Sequence, residues 1–129
     1  MKVRLSNYED WNAAAKGLLN REDIRSFEAE ALVDTGATRS FISQPAMDQL
    51  GLTIVGRRTG ILADGSRATV GLAGALVFEI EGRETIEEAY VLGDQVMIGQ
   101  TTLEATDLLV DCAARRVIPK HEGGPLFRL

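Results

Sequence analysis

The chain has 129 residues, 45% of them apolar, which bounds it to one domain, residues 1–129, with a modest core. A net charge of −5 and a pI near 4.9 argue against a nucleic-acid partner, whose phosphates need a basic face that the isolated pairs Arg57-Arg58 and Arg115-Arg116 do not make. No apolar run approaches the roughly 20 residues of a membrane span, and residues 1–6 are polar too soon for a secretion signal, so a cytoplasmic protein is expected. Taken in chain order, Val3-Arg4-Leu5 reads as a short strand. Over residues 8–20, Trp11, Ala14, Ala15, Leu18 and Leu19 fall at helical spacing behind Asn7 or Glu9-Asp10, a pattern that a loop capping the sheet edge fits equally well. Ile24, Phe27, Ala29, Ala31 and Val33 alternate loosely as a strand running into Asp34, and Phe41-Ile42-Ser43 forms another. Gln44-Pro45 opens a helical turn over residues 46–50 that Gly51 closes. Residues 60–70 have the layout of a hairpin turning at Asp64-Gly65 between apolar flanks. Two strands, 75–80 and 87–92, lie around the polar turn Glu81-Gly82-Arg83-Glu84. Val96-Met97-Ile98-Gly99 is an apolar strand broken by glycine, residues 101–105 a short capped helix, and 108–111 with 116–118 a final hairpin. Short strands with turns about every eight to twelve residues predict an all-β, barrel-like domain with one or two short helices.

The most informative run is Ala31-Leu32-Val33-Asp34-Thr35-Gly36-Ala37-Thr38, an apolar strand that delivers one carboxylate to a fixed place. Gly36 lets the backbone turn tightly with no Cβ in the way. Thr35 offers a short hydroxyl that can hydrogen-bond across a narrow gap. This signature resembles that of the retropepsin-like aspartic proteases, and the long N-terminal segment and Gly-Pro tail look more like cellular and bacterial members than viral ones. The likeness runs over roughly residues 24–118, leaving an N-terminal extension, 1–23, and a tail, 119–129. It implies a closed acid-protease barrel that forms half of a dimeric protease.

Peptide hydrolysis by such enzymes takes two carboxylates sharing one proton. The chain carries one Asp-Thr-Gly, so the resemblance implies a homodimer, with Asp34 of each copy facing the other across a two-fold axis and the Thr35 hydroxyls bonded across it. The implied catalytic set is Asp34, Thr35 and Gly36, with no cofactor and no metal. Ala37, beside it, leaves the carboxylate one hydroxyl donor short of what serine would supply. The hairpin at Ala63-Asp64-Gly65 takes the position of a flap over an extended peptide substrate, although the turn alone fits an ordinary surface hairpin. Ile98-Gly99 takes the position of the support beneath the active-site loop; a core strand with a bulge is the plainer reading, and both can hold. Asp111 echoes the apolar approach to Asp34, but Cys112-Ala113 supplies neither the hydroxyl nor the glycine, so Asp111 reads as a strand end or turn former. Cys112 reads as a small buried thiol and His121 as an exposed tail residue, too few for a zinc site and badly placed for a nucleophilic pair. Leu126-Phe127-Arg128-Leu129 or Val3-Arg4-Leu5 would interleave the two copies. A silent dimerisation or peptide-binding module, or a cleft covered by the chain's own termini, stays open.

Overall fold

A computed structural model describes residues 1–129. In β1 (Lys2–Asn7), exposed Lys2 and Arg4 alternate with buried Val3 and Leu5, the period-two pattern of a strand with one face on the core. The chain passes directly into α1 (Tyr8–Ala15), where the Asn7 side chain accepts from the Asp10 N–H at 2.9 Å. The segment is therefore a helix, not a loop, and it stops short of residue 20 because Gly17 takes φ +75°. Arg25 then ties the returning chain to α1 with a two-pronged bond to Asp10, at 2.8 and 3.0 Å. That guanidinium holds the Asp10 carboxyl below the usual carboxylate range.

The single strand expected over residues 24–33 is two. β2 (Ser26–Glu30) pairs with β1, whereas β3 (Leu32–Val33) pairs with β8 (Met97–Ile98). The chain changes partner at buried Ala31: its N–H donates to Met1 O at 2.7 Å, and the next one, Leu32 N–H, to Val96 O at 2.9 Å. β4 (Phe41–Ile42) leads into α2 (Gln44–Leu50), capped by Ser43 and closed by Gly51 at φ +64°. A Cβ at Gly51 would collide with the Arg25 guanidinium.

β5 (Thr53–Ile61) and β6 (Arg67–Ile80) form a long hairpin. The sequence splits β6 into two strands because of Gly71 and Gly74, but it is continuous over 14 residues. Along one edge it pairs with β5 and then, past residue 75, with β1; along the other it pairs with β7 (Arg83–Val91). The glycines mark the exchange, with a bulge opposite β7 between Ala73 and Leu76. The turn into β7 is only Glu81-Gly82, both at positive φ (52° and 74°), as a tight hairpin demands.

These strands make one sheet of order β2-β1-β6-β7-β4-β8-β3, with β5 on β6, curled into a nearly closed barrel. Its core holds Leu5, Ile42, Leu76, Phe78, Ile80 and Ile98, and α2 and α3 (Gln100–Ala105) contribute Leu50 and Leu103. Three short α-helices are present, one more than the upper expectation, with a single 3-10 turn at Arg21–Asp23. The barrel begins at β1, ahead of the residue-24 start expected, because β1 lies between β2 and β6. Arg4 and Leu5 are paired on both sides inside the chain and Val3 on one, so Val3-Arg4-Leu5 offers another copy almost no edge. β9 (Leu108–Asp111) and β10 (Arg116–Pro119), by contrast, pair only with each other. Cys112 sits on their exposed turn and is not the buried thiol expected, since β9 ends at Asp111. Beyond β10, His121 Nδ1 lies 2.9 Å from buried Asp107, and Leu126 N–H donates to the same carboxylate at 3.1 Å. Buried Arg83 donates to the carbonyls of Thr106, Asp107 and His121.

Candidate active site

β3 lies parallel to β8, so the chain arrives at Asp34 already held in the sheet: its N–H donates to Ile98 O at 3.0 Å. The loop then turns back on itself. Gly36 N–H donates to Asp34 Oδ1 at 2.9 Å and Ala37 N–H to Asp34 O at 3.1 Å. This fixes the carboxylate while leaving it exposed, with Oδ2 free of any partner in the chain. A side chain at Gly36 would meet Asp34 Oδ1 at 3.1 Å, so the glycine leaves room for the carboxylate to fold back.

The loop rests on the start of α3. Gln100 N–H donates to Ala37 O at 2.8 Å, Thr101 N–H to Thr38 O at 2.9 Å, and Gly99 N–H to Ser40 Oγ at 2.9 Å. A helix begins with N–H groups that have no partner inside it. The sequence suggested a side-chain cap here; the N-cap is Gly99 with none, and the loop carbonyls take those donors instead. Ile98 is fully buried, and Gly99 packs directly under the loop.

Asp34, Gly36 and Ala37 line one side of a cleft of about 680 Å³. The β5–β6 hairpin lines another with Ile61, Leu62 and Ala63, and the turn between β7 and β8 a third with Leu92, Gly93, Asp94 and Gln95. Leu32, Phe41 and Met97 complete it from β3, β4 and β8, giving a mostly apolar groove that holds two carboxylates, Asp34 and Asp94. Thr35 is exposed beside the cleft but outside its lining, as are Asp64 and Gly65 at the hairpin tip. The tip is a wider turn than Asp-Gly alone suggests. Leu62 N–H donates to Ser66 O, Gly65 takes φ +85°, and Asp64 Oδ1 accepts from the Ser66 hydroxyl and N–H, which hold its carboxyl below the usual range.

Asp111 is not in the cleft: its Oδ1 accepts from Ala114 N–H and closes the β9–β10 turn. The second carboxylate of the lining, Asp94, follows Gly93 and precedes Gln95, without the Thr-Gly that shapes the Asp34 loop. Sequence reading did not find the Leu92–Gln95 wall, whose only signal is an apolar residue left exposed before a Gly-Asp turn. No three His, Cys, Asp or Glu side chains converge where they could hold a metal ion, and no helix is long and apolar enough to cross a membrane.

Comparison with known proteins bears on the fold and the family. The retroviral protease-like domain of Ddi1 from Leishmania major matches with a TM-score of 0.51 at 17% identity, over 72% of this chain and 79% of that one, which shows the fold. EIAV protease, solved with the inhibitor HBY-793, aligns at 20% identity over 60% of this chain and 75% of its own, with a TM-score of 0.47. No curated protein matches the chain. The family model described as retroviral aspartyl protease matches residues 3–124, nearly the whole barrel and the Asp34 loop within it. The chain belongs to the retroviral aspartyl protease family.

Proposed function

We propose that the protein is a homodimeric aspartic endopeptidase whose catalytic pair is one Asp34 from each copy. The observation that carries this is the setting of Asp34: an exposed carboxylate, fixed through one oxygen by Gly36 N–H, on an apolar cleft, in a chain with one Asp-Thr-Gly. One such group cannot act as acid and base at once. Two facing carboxylates share a proton because like charges that close do not both ionise. The ionised one takes a proton from water as the water oxygen attacks the peptide carbonyl carbon, and the protonated one gives its proton to the carbonyl oxygen. Collapse of the resulting diol, with protonation of the amine, breaks the C–N bond.

In this reading, Thr35 bonds across the axis and holds the two loops together. The β5–β6 hairpins close as flaps over an extended peptide, with Ile61, Leu62 and Ala63 against the substrate. The two copies join through β9–β10, whose outer edges pair with nothing in the chain and whose Leu109 is exposed, and not through β1. The test is cleavage of a mixed peptide library between pH 3.5 and 8 by wild type and Asp34→Ala, with sedimentation alongside. Cleavage by a dimer that disappears in Asp34→Ala is expected. A well-folded dimer that cleaves nothing would instead make this fold a peptide-binding module.

A further inference from the structure

We infer that Glu87 is a positioning residue for the Asp34 loop, acting through Thr102 and Ser40; its kinetic consequence rests on the peptidase reading above. Four groups run in series from β7 to the loop. Gly99 N–H donates to Ser40 Oγ at 2.9 Å, Ser40 Oγ and Thr102 Oγ1 are 2.5 Å apart, and Thr102 Oγ1 donates to Glu87 Oε1 at 2.8 Å. Ser40 and Thr102 are fully buried, so water cannot stand in for either hydroxyl.

Proton counting gives the series a direction. Each hydroxyl has one proton, and a carboxylate accepts but does not donate. Glu87 therefore takes the Thr102 proton, Thr102 takes that of Ser40, and the Ser40 lone pairs are left facing Gly99 N–H. Gly99 opens the segment whose next two N–H groups hold the carbonyls of Ala37 and Thr38, and Ile98 O holds Asp34 N–H. A carboxylate on β7 thus sets the polarity of the strut under the catalytic loop.

A second observation points the same way. Glu87 Oε2 is buried with no hydrogen-bond partner. An unpaired buried polar atom destabilises the fold, and a methyl-bearing side chain of similar size would avoid that. Native proteins keep such exceptions where a site needs them.

The test compares Glu87→Leu, Thr102→Val and Glu87→Gln in the full chain. The first two are expected to lower kcat by about 10- to 100-fold with KM within about twofold, since a loop shifted by a fraction of an ångström misplaces the reacting groups. Glu87→Gln keeps an acceptor oxygen and is expected to restore kcat to within about threefold of wild type. Amide hydrogen exchange gives the second readout: Gly99, Gln100 and Thr101 exchange faster in Glu87→Leu, while the β6 amides keep wild-type protection. Wild-type kcat in Glu87→Leu, or protection lost evenly across β6 and β7, would overturn the inference. If wild type cleaves nothing, the peptidase reading fails, and the exchange pattern alone decides the strut.

Discussion

Gly99 is the glycine at which an added Cβ would crowd backbone most closely. A Cβ there would lie 2.7 Å from Arg39 C, 2.8 Å from Arg39 O and 2.9 Å from Ala37 O, all of them backbone that cannot rotate away. Gly99→Ala must push the loop outward and Asp34 with it. We expect a fall of about 10²-fold in kcat/KM and a loss of about 1–3 kcal/mol in stability, checked by peptide cleavage beside denaturant melts. Wild-type cleavage by that variant would show that the loop tolerates the shift. The close approach at Ile98-Gly99 was legible in the sequence, because a glycine inside an apolar strand gives up side-chain packing and so marks a place where backbone must come near. The strut of Ser40, Thr102 and Glu87 was not: its members stand up to 62 residues apart, and each alone reads as ordinary surface polarity.

Among the elements, the tail after β10 is held by the buried Asp107 carboxylate and by Arg83 at the His121 carbonyl. Burial pushes the Asp107 carboxyl up, but the Leu126 N–H, His121 and the Arg83 guanidinium outweigh it and hold it below the usual carboxylate range. A group depressed in the folded state stabilises it above the unfolded value, about 3.9 for Asp, and that contribution is lost as pH falls through the folded value. The Leu126 amide, followed by NMR, is thus expected to lose its hydrogen-bonded shift on acidification below about pH 4. In Asp107→Ala it should exchange freely at every pH; an amide that stayed protected there would mean the Leu126 N–H has another acceptor. Hairpins, the Gly51 cap and the Asp34 strand could be read from local chemistry, whereas Ser43, which reads as the end of a strand, caps α2. Continuity of β6 could not, because its two glycines break the pattern locally, and what bridges them is a change of partner strand from β5 to β1.

For the whole molecule, a mostly-strand, barrel-like fold was legible from strand spacing and from one motif, whereas a surface that could join two copies was not. β1 looked available only until its pairing with β6, far along the chain, was seen. If β9–β10 joins the copies, Leu109→Arg should give a folded monomer that cleaves nothing, and wild-type specific activity should fall on dilution as the dimer dissociates. Sedimentation and progress curves over a range of concentrations check both; an active monomer would end the shared-pair reading. The tethering of the Asp34 loop also has a temporal side. Every backbone bond from outside that steadies its first half comes from residues 98–101, across a stretch that includes the whole β5–β7 meander. Contacts so distant along the chain form late and slowly. During synthesis, Asp34 leaves the ribosome long before anything exists to hold it. A nascent chain therefore stays inert until α3 has emerged, and no N-terminal fragment ending before that helix carries a shaped site.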